Sequence, residues 1–139
     1  MALLSTYTEG IGMSPAPSRK QQIVVMQLLQ DINNTFDDMI ALPHCAIDGN
    51  DGNSAIPDIC VYHDQDDVFP TMFIEVCSNH QKSSIIKKVT DLVAQYDIEE
   101  AFVYVLEKKT WHKITSFSGV EEDDFSEILD QNLDDFIAI

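Results

Sequence analysis

The chain has 139 residues, of which 45% are apolar, and these values predict one compact domain, 1–139, with a single core. They exclude a wholly disordered chain. The formal net charge is −16, with only eight Lys and Arg residues against 24 Asp and Glu residues. Because long-range attraction to phosphates depends on Lys and Arg, this charge opposes the approach of DNA.

Nothing in the sequence indicates a membrane protein or a secreted one. No apolar run approaches the roughly 20 residues that a membrane-spanning helix needs. The first ten residues, MALLSTYTEG, lack the basic segment and the long apolar segment of a signal peptide. We therefore expect no membrane contact and a cytoplasmic location.

The first predicted element is a helix over residues 19–34, entered through the proline-punctuated segment MSPAPSR. Ser18 is its predicted N-cap, because a serine side chain can accept from the free N–H groups of the first turn. An apolar stripe follows at helical spacing, and Gln21 projects into it. The stripe consists of Val25, Leu28, Leu29, Ile32 and Phe36.

After Phe36 the pattern changes to short extended runs. MIALPHCAI reads as a strand, and Gly49 and Gly52 supply a turn after it. SAIPDICVY and TMFIEVCS then read as adjacent central strands that are apolar on both faces. Asp58 and Glu75 are the notable exceptions within them.

The second half of the chain predicts another helix followed by a hairpin. The helix spans about 80–96, with an apolar stripe that includes Ile85, Val89 and Leu92. EEAFVYVLE and WHKITSF then form a β-hairpin that turns at Lys108 and Lys109. We predict that residues 123–139 form a final helix, or a helix plus a strand. This order of elements predicts an α/β fold with a mixed central sheet flanked by helices.

The three cysteines are an odd count without CxxC spacing, which does not favour a zinc site. We interpret Cys45, Cys60 and Cys77 as small buried apolar residues on strands. The alternative is a nucleophilic Cys77, which lies beside Glu75 and near His80 in sequence.

The carboxylates on the two central strands are the main functional signal. A carboxylate among apolar strand residues is costly unless it is paired, hydrogen-bonded or bound to a cation. Asp58 and Glu75, on neighbouring strands, can converge on one side of the sheet. Hard divalent cations such as Mg²⁺ or Mn²⁺ prefer such oxygen ligands. A structural role, in which each carboxylate caps a turn or pairs with a cationic side chain, is the alternative.

IPDICVY, an acidic loop and TMFIEVCS together resemble the PD…(D/E)xK signature of restriction-endonuclease-like proteins. More specifically, MSPAPSRKQQIVV, PDICVY, FIEVCS and YDIEEAFVYVLE resemble the Uma family of restriction endonucleases, over about 13–114. The resemblance implies a restriction-endonuclease-like mixed sheet, a magnesium-dependent nuclease acting on phosphodiester bonds of DNA, and a homodimer. It also implies that Asp58 and Glu75 are catalytic metal ligands.

Cys77 occupies the lysine position of that signature. The resemblance implies that a lysine of the following helix replaces it, so Lys87 and Lys88 are the candidates. With Ile85 set at zero and about 100° per residue, the apolar stripe of the helix centres near 40°. Lys88 falls at about 300°, on the border of the stripe, whereas Lys87 falls at about 200°, on the far side. Lys87 can also pair with Asp91, so Lys88 is the preferred candidate.

Two departures from the family pattern favour a different function. Gln21 stands where the pattern has a histidine, and an amide can orient a water or a carboxylate but cannot titrate. Ile85 and Ile86 stand where an acidic residue often precedes the helix lysine. The alternative is therefore a catalytically inactive, nuclease-like scaffold that acts as a protein-interaction module. His44 is interpreted as structural, and His80 as a residue at the edge of the cleft.

Overall fold

A six-stranded sheet and two helices make up most of residues 17–138, the part of the chain that the computed structural model describes. The predicted α/β fold, with a mixed central sheet flanked by helices, is confirmed. The helices are α1 (Arg19–Thr35) and α2 (Lys82–Tyr96), and the strands are β1 (Ile40–Pro43), β2 (Ile59–Tyr62), β3 (Met72–Cys77), β4 (Glu100–Val105), β5 (Thr110–Thr115), β6 (Gly119–Glu122), β7 (Phe125–Ser126) and β8 (Gln131–Asn132).

The strands of the main sheet follow one another in chain order, from β1 at one edge to β6 at the other. Every neighbouring pair is antiparallel except β3 and β4, which run parallel. A parallel pair needs a crossover connection, and α2 supplies it. The carboxyl ends of β3 and β4 therefore lie at the same edge of the sheet.

Helix α1 begins as the sequence predicts. The Ser18 Oγ accepts from the Gln21 N–H, and the Gln21 side chain accepts from the Ser18 N–H, which together form a capping box. The buried side of the helix contains Val24, Leu28 and Ile32. Helix α2 begins slightly later than predicted, because the 3₁₀-helix Asn79–Gln81 precedes it.

Each face of the sheet has its own apolar core. The first core lies under α1, where Leu28, Ile74 and Tyr104 are buried together. The second lies under α2, where Val89, Phe73 and Val103 are buried. Side chains alternate between the faces along each strand, and Glu75 shares the α2 face with its neighbours at i±2 on β3.

The tail differs from its prediction. Residues 119–122 pair with β5, β7 and β8 form a two-stranded sheet, and the 3₁₀-helix Leu133–Phe136 packs against α1. The predicted α-helix within 123–139 is therefore wrong for the described residues up to 138. The indole N–H of Trp111 donates to Asp134 Oδ1 at 3.0 Å, which fastens this tail to the main sheet.

None of the helices within 17–138 has the length and apolar character required to cross a bilayer.

Candidate active site

The candidate site lies where β2 and β3 part. Their register pairs end at Ile59 and Ile74, so residues beyond that point do not pair between these strands. Val76 lies two residues further along β3, and its backbone groups need other partners because buried N–H and C=O groups are almost always satisfied. Side chains from elsewhere in the chain supply them.

Asp58 and Glu75 fill this gap. Asp58 lies immediately before β2, not within the strand, and its carboxylate Oδ2 accepts from the Val76 N–H at 2.8 Å. The Asp58 N–H in turn donates to Glu75 Oε1 at 2.6 Å. The two carboxylates thus take over the hydrogen bonds of the interrupted ladder. Each accepts one such backbone bond, through Asp58 Oδ2 and Glu75 Oε1.

Burial raises the pKa of both carboxyls. Glu75 is only 1% exposed, and desolvation followed by the negative charge of Asp58 raises its pKa well above the ordinary value. Desolvation also raises the pKa of Asp58, whereas its hydrogen bond from Val76 opposes that shift. Two adjacent carboxylates are stabilised in their ionised form by positive charge.

Lys88 is the lysine whose charge reaches Glu75. Its field lowers the pKa of Glu75 against the larger effects of burial and of Asp58. The Lys88 side chain is exposed and forms no ion pair within the described residues. Lys87 is exposed too, and the pair with Asp91 considered from the sequence is not formed. Lys88 therefore acts on Glu75 through its charge, although it forms no ion pair with either carboxylate.

Gln21 approaches the site from α1, the helix on the opposite face of the sheet. Its Nε2 donates to the Val76 carbonyl at 2.9 Å, while its Oε1 accepts from the Ser18 N–H at 2.8 Å. Gln21 has no hydrogen bond to Asp58 or Glu75. Gln21 and Asp58 thus bind the same residue from two sides, Gln21 at the Val76 carbonyl and Asp58 at the Val76 N–H.

His44 is a site residue that the sequence interpretation missed. It follows β1 with a positive φ of 53°, and its N–H donates to the Asp58 carbonyl at 3.4 Å. The charged form of its imidazole would lower the pKa of Asp58. The pairing of β1 with β2 explains this position. Pro43 is opposite Ile59, so the residue that follows β1 lies beside Asp58, the residue that precedes β2.

A cavity of about 510 Å³ opens onto Asp58 between α1 and the end of β1, and we term it the Asp58 cavity. Its lining includes Gln21, Gln22, Met26, Gln30, His44 and Asp58. Lys and Arg are absent from this lining, which consists mainly of apolar and neutral amide groups. The cavity gives a ligand access to the Asp58 end of the carboxylate pair.

The nucleophilic role considered for Cys77 is not favoured by its surroundings. Cys77 is buried, and desolvation followed by the charges of Glu75 and Asp58 raises its pKa to about 12. The reactive species is the thiolate, which such an environment suppresses at neutral pH. His80 instead places Nδ1 at 2.9 Å from the Ser78 Oγ.

The donor set fits a hard divalent cation. Within residues 17–138 the only acidic groups that meet at this strand end are Asp58 and Glu75, and no cluster of three or more His, Cys, Asp or Glu residues arranged to hold a metal is present. Mg²⁺ is commonly held by one or two carboxylates and keeps several of its waters. A pair of carboxylate ligands therefore matches the ligand preference of Mg²⁺ better than that of Zn²⁺, which prefers Cys and His ligands.

The mixed sheet flanked by two helices, with a carboxylate pair where two strands part, defines an α/β protein. A solved structure with this fold comes from Anabaena variabilis and is described as a "putative nuclease belonging to DUF820". The TM-score is 0.67 at 14% sequence identity, and the match covers 88% of this chain and 82% of that one. No protein-family model matches the sequence, and no curated protein matches it. The likeness concerns the fold, and membership of the Uma family stays a prediction.

Proposed function

We propose that the protein is a divalent-metal-dependent nuclease that hydrolyses phosphodiester bonds of DNA. The observation that carries the proposal is the pair joined at a strand end, in which Glu75 is buried and Asp58 is half-buried and lines the Asp58 cavity. Two carboxylates that share one buried position destabilise each other unless a cation accompanies them. The fold of the Anabaena variabilis protein supports the same assignment.

In this proposal, Asp58 and Glu75 hold Mg²⁺ or Mn²⁺. When bound there, such a cation lowers the pKa of a coordinated water and neutralises charge on a phosphate. Lys88 adds positive charge on the α2 side, where it would stabilise negative charge that develops on the substrate. Gln21 is a positioning residue, because it binds the carbonyl of Val76, the residue whose N–H donates to Asp58.

Isothermal titration calorimetry with Mg²⁺ and Mn²⁺ tests the metal site directly. We expect the wild type to bind one ion, and Asp58→Asn and Glu75→Gln to lose most of that affinity. Asp66→Asn is the matched control, because it removes the same charge from an exposed loop. Failure of the wild type to bind either ion, or equal loss in the control, would contradict the proposal.

Cleavage is tested on radiolabelled single-stranded and duplex DNA with Mg²⁺, Mn²⁺ or EDTA. We expect metal-dependent products that disappear in Glu75→Gln and persist in Asp66→Asn. Ion binding without any cleavage would instead support the second candidate function, a catalytically inactive scaffold. That candidate is favoured by the exposure of Lys88 and by Cys77 in the lysine position of the signature.

We also propose that the protein forms a homodimer, as the family resemblance implies. Sedimentation equilibrium across a range of protein concentrations measures it, with 15.7 kDa as the mass of one chain. A mass that stays at this value at high concentration would contradict it.

A further inference from the structure

A second cavity lies beside the candidate active site, on the other side of Gln21. Its volume is about 620 Å³, and its lining includes Ser18, Lys20, Ser78, His80, Glu107 and Lys109. We term it the lysine cavity. Gln21 lines both this cavity and the Asp58 cavity, so the two spaces adjoin across one side chain.

The charge of the lysine cavity is opposite to that of the whole chain. The sequence has only eight Lys and Arg residues, and two of them, Lys20 and Lys109, line this space. Neither forms an ion pair with another described residue, so both ammonium groups are available to a ligand. A local concentration of cations on an acidic protein indicates a place where an anion binds.

Glu107 is the one carboxylate in this lining, and it does not cancel the two lysines. Its Oε1 accepts from the Asn79 N–H at 2.8 Å, so one oxygen is already engaged. Hydrogen bonds from its own backbone N–H and from Asn79, together with the charges of His80 and Lys20, lower the pKa of Glu107. Glu107 therefore orders the segment after β3 while the lysines remain in excess.

The N-terminus of α1 adds to the attraction. Ser18 caps this helix of 17 residues, and Ser18, Lys20 and Gln21 line the cavity at the end where the helix dipole is positive. Ser78 occupies the corresponding position before the helical segment that leads into α2. Its Oγ donates to Gln81 Oε1 and lies 2.9 Å from His80 Nδ1, so this hydroxyl is engaged within the protein.

These features are chemistry that recognises a phosphate group: two ammonium groups free of ion pairs and a helix N-terminus that line one cavity. We propose that the lysine cavity binds a phosphate group of a nucleic-acid strand whose adjoining portion occupies the Asp58 cavity. This inference deepens the proposed nuclease function and rests on it for the identity of the strand. The apolar and amide lining of the Asp58 cavity suits a base, whereas the lysine cavity suits the backbone.

A pair of matched double variants tests the site. Lys20→Gln with Lys109→Gln removes two charges from the cavity, and Arg19→Gln with Lys108→Gln removes two charges from immediate neighbours outside its lining. All four residues are exposed, so both proteins should fold, which urea unfolding followed by Trp111 fluorescence verifies. Binding of a fluorescein-labelled single-stranded decanucleotide is measured by anisotropy in EDTA, where cleavage does not occur.

We expect the cavity variant to bind the oligonucleotide about tenfold more weakly. The slope of log affinity against log salt concentration should become shallower by about one unit for each phosphate that the variant no longer neutralises. The neighbour variant should stay within about twofold of the wild type. Equal weakening in both variants, or no binding by the wild type at low salt, would overturn the assignment.

Inorganic phosphate distinguishes the source of the anion. If millimolar phosphate displaces the oligonucleotide as fully as excess unlabelled strand does, the site takes free phosphate and the strand assignment is wrong. Binding in EDTA is independent of turnover. Loss of cleavage with binding retained therefore contradicts the nuclease function alone, and loss of binding in the wild type contradicts the lysine cavity.

Discussion

The Asp58 N–H donates to Oε1 of Glu75 at 2.6 Å, so a backbone group of one member of the carboxylate pair holds the side chain of the other. Asp58 is bound in the same way through the Val76 N–H. Consequently the two side chains are placed by the backbone before any ion is present. This arrangement combines geometric order with desolvation of both carboxyls and with the repulsion that Asp58 exerts on Glu75, and these effects make the pair sensitive to pH.

Without metal, the free energy of unfolding should depend on pH through this pair. Both pKa values are raised in the folded state, from ordinary values of 3.8 for Asp58 and 4.5 for Glu75. The folded protein therefore holds protons more tightly, and stability from this source falls as pH rises above those ordinary values. We expect Glu75→Gln to become more stable relative to the wild type between pH 5 and pH 8 in EDTA.

Urea unfolding at both pH values, followed by Trp111 fluorescence, measures this difference. Glu99→Gln removes an equal charge from an exposed position and is the control. Parallel pH profiles for the wild type and Glu75→Gln would show that the pair carries no excess protons in the fold.

Substitution of the two helix lysines should separate their roles. If cleavage is established, Lys88→Gln should lower kcat by roughly 10²-fold or more, the scale of one removed electrostatic stabiliser. Lys87→Gln should change it little, because only the charge of Lys88 acts on Glu75. Single-turnover cleavage measures the effect, and equal loss in both variants would assign it to net charge alone.

A buried ion pair far from the site should dominate the stability of the outer strands. Lys113 Nζ lies 3.7 Å from Glu100 Oε2, and their side chains are 7% and 4% exposed. Glu100 also accepts from the Ser126 hydroxyl and from the Glu127 N–H, which ties the tail to β4 and β5. Lys113→Met should lower the free energy of unfolding by about 3–5 kcal/mol, because Glu100 is left buried without its cation.

Lys113 also lies 3.8 Å from Glu127, but that carboxylate is 81% exposed. Glu127→Gln is therefore the matched control, with an expected change within about 0.5 kcal/mol. Denaturant titration measures both variants. A small effect of Lys113→Met would mean that the serine and backbone contacts alone satisfy Glu100.

The cysteines should differ sharply in reactivity. Cys60 and Cys77 are buried, and burial raises the pKa of each thiol to about 12, whereas Cys45 is partly accessible. Titration with a chromogenic disulfide at pH 8 should modify one thiol in the native protein and three in urea. Cys45→Ser should abolish the native reaction, and rapid modification of Cys77 in that variant would revive its nucleophilic role.

The sequence was sufficient to predict both helices because their ends and apolar stripes are local features. Ser18 and the spacing of Leu28 and Ile32 specify α1 without reference to the rest of the chain. The tail was predicted wrongly for the converse reason. The apolar residues of the tail have helical spacing, namely Leu129, Leu133 and Phe136. The segment is nevertheless held by the pairing of β7 with β8 and by the hydrogen bond from the Ser126 hydroxyl to Glu100, and sequence spacing does not reveal these contacts.

The candidate site was predictable in its carboxylates and not in its supporting contacts. Asp58 and Glu75 stand out because they interrupt apolar runs. His44 reaches Asp58 only because β1 and β2 pair in one particular register. Gln21 was a predicted site residue, but its contact with the Val76 carbonyl could not be foreseen, since it depends on the point at which two strands separate.

The backbone of Val76 contacts two segments that are far from it along the chain. Its contact with Gln21 spans 55 residues, and its contact with Asp58 spans 18. Closing such loops costs chain entropy that only the assembled fold repays. A partly folded chain with its sheet formed but α1 undocked would therefore leave the Val76 carbonyl without its Gln21 partner at the edge of the site.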